Sequence, residues 1–254
     1  MEVRLISHSD LGPLVCGYAA KVCTSAEMPE CPEELAVTRR EGEVSPFGKA
    51  LANALNSHHD SVLEHWSATF AIEGISRACS HQLVRHRVAS YSQQSQRFVR
   101  MDEPCYVNPM DGTAQLASLE CTMKRAEQDR VFDEAMRNAW KAYVRLIELG
   151  WKDEDARYVL PNACTTNIVV TMNARELRHF LGLRLCKRAQ KEIRELAERM
   201  LECLKDECPE LFEDVGPQCE QLGYCPEEKG CGRYPDLFAL GEEYWIGHRG
   251  WRSS

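Results

Sequence analysis

The sequence predicts a mixed α and β protein, because three alternating or β-branched stretches and five stretches of helical periodicity share a chain with no G-x-G-x-x-G turn. Residues 2–6 alternate as a short strand. Ser45-Pro46 starts a helix, since proline suits a first turn, and Ala50, Leu51, Ala54 and Leu55 share one face as far as Asn56. His65 to Ile72 alternates as a strand. Ile75, Cys79 and Leu83 recur at helical spacing, which predicts a helix over 74–86, and the polar run Ala-Ser-Tyr-Ser-Gln-Gln-Ser behind it reads as a loop. A long helix over 114–149 is closed by Gly150, and a short one from Asp153 stops before Pro161. Thr165 to Met172 is strand-like. Asn173 then caps a helix, with Glu176 at the reciprocal position, whose apolar side runs from Leu177 to Leu204 before the Cys208-Pro209 break.

Composition limits the function. With 254 residues the chain can bury one good core, and 44% hydrophobic with 28% charged residues is ordinary for a globular protein. The first residues lack a basic segment followed by an apolar run, and no stretch is long enough to span a bilayer, so a cytoplasmic protein without a membrane partner is expected. The odd count of 13 cysteines favours reduced thiols over a disulfide scaffold. Cys219, Cys225 and Cys231 follow Cys208 with five residues between each of the last three, which is not the pair-and-pair spacing of structural zinc, so no metal is expected.

Against a net charge of −8, residues 82–97 concentrate Arg85, Arg87, Arg97, His86, Ser90, Ser95 and several amides. Such clusters are commonly a solvated face. Here the triplet falls at the end of the predicted helix, where the dipole favours cations, and the polar run beyond it offers hydroxyls and backbone N–H groups. That combination suits a small anion better than a long polyanion. A nucleic-acid-binding protein is disfavoured by the net charge and by the lack of a basic stripe with stacking aromatics.

Arg85-His86-Arg87, seven residues and Ser95 resemble the signature of the flavin-dependent thymidylate synthases. His59-Asp60-Ser61-Val62-Leu63-Glu64-His65, Asp155 to Pro161, Asn173 to Leu177 and Leu181-Gly182-Leu183-Arg184 extend the resemblance in the family's order over about residues 45–212. The resemblance implies an α+β fold, a small antiparallel sheet flanked by helices, in a homotetramer with active sites between subunits. It implies a domain over 1–212, leaving 213–254 as a cysteine- and aromatic-rich extension packed on it. The implied reaction is reductive methylation of dUMP to dTMP, with methylenetetrahydrofolate as carbon donor and NADPH as reductant through FAD.

Residue by residue, Gln82, Arg85, Gln93, Gln94, Ser95, Gln96, Arg97, Arg157 and Arg184 match positions that hold the deoxynucleotide. His59, Ser61, Arg85, His86, Arg87, Gln93, Asn173, Arg175 and His179 match positions around FAD. His58 has no such match and reads as a surface residue. His179 stands where many relatives have asparagine, and Ser92-Gln93 where many have Asn-Glu. Arg184 is the expected catalytic residue, because a guanidinium beside uracil O2 and N3 stabilises charge built up in the ring without ever losing its own proton. No enzyme nucleophile is then needed, and Ser95 reads as a nucleotide ligand. The other basic residues from Arg178 to Arg199 read as a wet helix face. A pyrimidine hydroxymethylase is the rival enzyme.

Overall fold

The computed structural model describes residues 1–29, 46–111 and 119–236. Within it the chain divides into two compact units, Met1–Ser7 with Thr69–Met172 and His8–Ala68 with Asn173–Ser254.

The first unit is built on a four-stranded sheet of order β1 (Glu2–His8), β2 (Ser67–Ser76), β4 (Thr165–Asn173), β3 (Ala89–Gln93). β3 and β4 pair antiparallel, with Tyr91 opposite Val170. Thr69 bonds Thr171 while Gly74 bonds Asn167, so β2 and β4 also run oppositely. The central strands bury every second residue, Ala68, Phe70 and Ile72 on β2 and Thr166, Ile168, Val170 and Met172 on β4, as the alternation predicts. Helix α3 (Arg77–Leu83) follows β2 directly, because the Ser76 hydroxyl accepts the Cys79 N–H at 2.9 Å and so caps it. The helix expected from residue 74 therefore begins three residues later, its first positions being spent on the strand.

The run expected to be a loop is strand β3. Its inward residues are held by hydrogen bonds: the Tyr91 hydroxyl donates to the Leu83 carbonyl at 2.9 Å, and Gln93 Nε2 donates to Ser80 Oγ at 2.9 Å and Thr166 Oγ1 at 3.2 Å. Helix α4 (Leu119–Glu148) buries only Trp140 and Tyr143 among its described side chains, and both bond the Met101 backbone. The expected start of this helix before 119 and Ser45 lie outside the described residues. A short helix α5 (Asp153–Ala156) and a 3-10 turn (Arg157–Val159) follow.

The second unit is helical: α1 (Leu14–Val22), α2 (Pro46–Asn56), a 3-10 turn (Asp60–His65), α6 (Ala174–Arg184), α7 (Lys191–Glu207), α8 (Pro209–Phe212) and α9 (Gln218–Leu222). Its core is Trp66, Leu177, Phe180, Leu181, Ile193, Leu196, Met200, Leu204 and Phe212, all fully buried, with the Trp66 and Phe212 rings 5.5 Å apart. The single long helix expected to Cys208 is two helices. α6 ends at Arg184, and the Gln190 side chain caps α7 by accepting the Ile193 N–H at 3.3 Å. Arg178 is no wet-face residue either: it holds Asp214 through two bonds of 2.8 Å and reaches the Leu211 carbonyl, clamping the chain after α8.

Beyond it, α9 ends on Gly223 at φ 73, Arg233 pairs with Glu220, and the backbones at Cys225 and Asp236 form an isolated parallel β-bridge. Tyr244, Trp245 and Trp251 lie outside the described residues. No described helix is long and apolar enough to cross a membrane.

Helices α1 and α2 touch through Gly17, where a β-carbon would collide with the Phe47 carbonyl. Because backbone cannot yield as a flexible side chain does, Gly17→Ala should cost about 1–3 kcal/mol in urea unfolding. An unchanged midpoint would mean that the two helices do not pack this closely.

Candidate functional site

In the first unit the basic triplet sits on a pinned turn. The Tyr91 hydroxyl also reaches the His86 carbonyl at 2.8 Å, so the turn is tied to both α3 and β3. This geometry buries the His86 imidazole, at 5% exposure, and leaves Arg85 and Arg87 exposed on either side, with Gln82 half-buried before them.

β3 then delivers the other candidate nucleotide residues. Gln93 is a strut to Ser80 and Thr166, and buried Gln96 donates through Nε2 to Cys164 Sγ at 3.3 Å. Gln94 donates its backbone N–H to the Asn167 carbonyl at 2.8 Å. Ser95 Oγ accepts the Arg97 N–H at 3.2 Å, and its carbonyl accepts from Phe98 and Val99, which turns the chain and projects Arg97 outward. Arg97 Nε and Nη2 both lie 2.9 Å from Glu154 Oε2, and Arg157 Nε donates to the Glu154 carbonyl at 3.0 Å. Arg97 and Arg157, far apart in sequence, thus meet at Glu154, with Ser95 fixing the turn that carries Arg97.

The structure adds Arg77 to this group. Its Nη1 reaches the Gln94 carbonyl at 3.4 Å and Thr166 Oγ1 at 3.5 Å. Burial holds its pKa below the ordinary guanidinium range, the Cys164 thiol opposes that shift, and the neighbouring Arg157 adds to it. A signal existed in the sequence: an arginine opening a helix is opposed by the dipole and calls for a nearby anion. Arg77 and Arg157 lie close enough to repel one another, and Arg97 and Arg157 share Glu154 through its carboxylate and its backbone carbonyl respectively, a concentration of guanidinium groups suited to a phosphate dianion.

The second unit gathers a different set. His59, Ser61 and Arg175 line one cavity of about 720 Å³, within the usual size of small-molecule sites, together with Lys21, Cys23, Lys49, Asn53 and His58. Arg175 also pairs with Glu64. His179 lies one turn beyond Arg175 on the same face of α6 but is not part of the cavity wall. The Asn173 side-chain oxygen is committed to capping α6, accepting the Glu176 N–H at 2.9 Å. Arg184 ends α6, half-buried in its last turn.

The cysteines form no disulfide among the described residues, and those residues hold no group of three or more His, Cys, Asp or Glu arranged to bind a metal. Burial pushes the Cys16 and Cys208 thiols up to about 12 and Cys164 to about 11. Cys219 is raised by burial first and then by Cys186 and Cys225 nearby.

The arrangement defines a class: an α+β protein with one arginine cluster fit for a phosphate and one cationic cavity fit for an organic ligand. The chain matches the family described as Thymidylate synthase complementing protein over residues 4–210. It is 45% identical to the flavin-dependent thymidylate synthase of Geobacter sulfurreducens over 248 residues, 97% of this chain and all of that one. It is 42% identical to the protein of the same name from Clostridium tetani, over 93% of this chain and 95% of that one.

Among solved structures it resembles the UMP/dUMP methylase PolB of Streptomyces cacaoi bound with 5-Br dUMP, with TM-score 0.68 and 26% identity over 84% of this chain and 93% of that chain. It also resembles thymidylate synthase X of Helicobacter pylori with FAD and dUMP, with TM-score 0.60 and 26% identity over 85% of this chain and 98% of that chain. The chain belongs to the flavin-dependent thymidylate synthase family.

The thiol shifts have a testable consequence. A folded thiol with a raised pKa keeps a proton that the unfolded chain gives up above the ordinary value of 9.0, so folding stability should fall as pH rises from about 9 toward 12. At pH 8 a chromogenic disulfide reagent should label Cys23, Cys105 and Cys231, which are exposed, before Cys16, Cys164 and Cys208, which should react only on unfolding. Equal labelling rates for all of them in folded protein would contradict the burial described.

Proposed function

We propose that this chain methylates dUMP to dTMP, with methylenetetrahydrofolate as carbon donor and NADPH as reductant. The observation that carries the reading is the convergence of Ser95, Arg97 and Arg157, in a chain of this family, into a cluster fit for the 5′-phosphate. The cavity of His59, Ser61 and Arg175 fits a flavin in size and in its hydrogen-bonding and cationic lining. Bound FAD would supply the reducing equivalents that turn a transferred one-carbon unit into a methyl group.

The chain's own residues have the remaining work. Arg97 and Arg157 hold the phosphate by charge-assisted bonds, and Ser95 contributes a hydroxyl and fixes the turn that aims Arg97. Arg184 stabilises negative charge drawn onto uracil O2 and N3, which makes C5 nucleophilic. Arg85 and Arg87 remain available for cofactor, whereas His86, Gln93, Asn173 and Gln96 act from beneath by holding the turns. Burial raises the pKa values of Cys16, Cys164 and Cys208, so these three thiols stay protonated at neutral pH and are poor candidates for an enzyme thiolate. Ser95 is a poor candidate nucleophile too, having the Arg97 N–H as its described partner rather than a base.

Assembly into a homotetramer, with sites between subunits, is part of the same proposal. Arg87, Arg97 and Arg157 are each followed by an exposed apolar side chain: Val88 at 61%, Phe98 at 83% and Tyr158 at 82%. Apolar groups alternating with ligand-binding cations on one unit suit a surface that another subunit covers.

Purified protein should be yellow and should oxidise NADPH in a dUMP-dependent manner. Arg184→Ala should lower kcat/KM by roughly two to three powers of ten, the usual cost of one charge-stabilising donor, while retaining flavin. Ser95→Ala should raise KM for dUMP and keep measurable turnover. Trapping a covalent uracil adduct on Ser95 or any cysteine, lost when that side chain is removed, would falsify the mechanism. The assembly is checked by light scattering, where a fully active monomer is the outcome that sinks it.

A further inference from the structure

We infer that the His58 imidazole, with Lys21 and Lys49, forms an anion-binding wall of the flavin cavity and takes the diphosphate of a bound dinucleotide. The inference rests on reading that cavity as the flavin site and goes beyond it by assigning residues that the family resemblance leaves out.

The backbone isolates His58 first. Helix α2 ends with the His59 N–H bonded to the Ala54 carbonyl at 2.8 Å and the His58 N–H bonded to the Leu55 carbonyl at 3.1 Å. This is the paired closure that needs a left-handed residue just past the helix, a place usually given to glycine. The same closure ends α4, where Trp151 bonds Leu146 and Gly150 bonds Ile147, and there glycine stands at φ 93. Gly223 fills the corresponding place after α9 at φ 73. After α2 the residue is His58 at φ 55, the only non-glycine with positive φ among the described residues. A side chain kept where glycine costs less implies a use for that side chain.

The cavity supplies the use. His58 lines it beside His59, and so do Lys21 from the last turn of α1 and Lys49 from the first turn of α2. With Arg175 the lining has three obligate or near-obligate cations and one carboxylate, Asp60, in a chain of net charge −8. An imidazole N–H in the same cavity lining as two ammonium groups offers directional donation where lysines offer charge, a combination suited to phosphate oxygens. Two dinucleotides of the proposed reaction carry a diphosphate, FAD and NADPH, and the experiment separates them.

Apoprotein is titrated with FAD and with riboflavin, which lacks phosphate, and NADPH saturation is measured by the rate of bleaching of the flavin-loaded protein. His58→Gly should leave the apoprotein Tm unchanged or a few degrees higher, because the strained position is relieved. It should nevertheless weaken FAD about tenfold, the loss of one charge-assisted contact, and leave riboflavin affinity as it was. Lys21→Gln and Lys49→Gln should do the same to FAD without the gain in Tm. His58→Asn, which tolerates the left-handed backbone, serves if the glycine variant misfolds, and the same loss of FAD is expected. FAD affinity left intact with NADPH half-saturation shifted upward assigns the wall to the nicotinamide dinucleotide. Wild-type protein that takes up no FAD overturns the flavin reading itself. Wild type that takes FAD, with all variants matching it for both dinucleotides, overturns the wall alone.

Discussion

Two junctions without loops set where the chemistry can be. Ser76 ends β2 and Asn173 ends β4, each in extended conformation, and each puts a side-chain oxygen 2.9 Å from an N–H three residues on. A strand that passes straight into a helix fixes the helix's rotational phase, since no flexible residue can absorb an error. Arg77, Gln82 and the triplet are therefore placed by counting from Ser76, and Arg175, His179 and Arg184 by counting from Asn173. The caps also explain why Asn173 stands at a candidate flavin position yet has its oxygen committed to backbone.

The same junctions decide how much was legible in the sequence. The Asn173 cap, the β-branched run before it and the apolar repeat after it were readable because each rests on local chemistry, and the structure has all of them. β3 was missed because its period of two is carried by hydrogen bonds of Tyr91 and Gln93 rather than by apolar side chains, so a hydrophobic pattern has nothing to register. The break after Arg184 was missed because Leu185 to Ala189 are acceptable helix residues, and Gln190 caps only once α7 has a separate direction. His58 reads as a surface residue and is exposed in the structure, but its left-handed backbone was not legible, because that conformation leaves no mark on a histidine's identity.

At the candidate site, motif matches brought forward the arginines and the serine but not their neighbours. Glu154 has no signal of its own in sequence. It matters only because folding sets it against Arg97 and beneath Arg157. Arg97 is half exposed in this pair, so solvent screens it and the ion pair contributes little to stability, of order 1 kcal/mol at most. What it does is hold a long side chain ordered at modest cost, which a phosphate with more charge and more acceptor atoms can outcompete.

The two kinds of titratable chemistry in this protein point the same way. Its thiols are numerous, but burial keeps Cys16, Cys164 and Cys208 from ionising, so their place is in packing and in weak bonds such as Gln96 to Cys164. Its arginines cluster despite the acidic background, and even Arg77, whose pKa burial lowers, has a charge that no accessible pH removes. The three buried thiols are therefore poor candidates for attacking a substrate, whereas the clustered arginines are suited to holding and polarising one. That division leaves bond-making to whatever it binds, and it makes placement of fixed positive charge, rather than activation of a side chain, the variable that folding has to control.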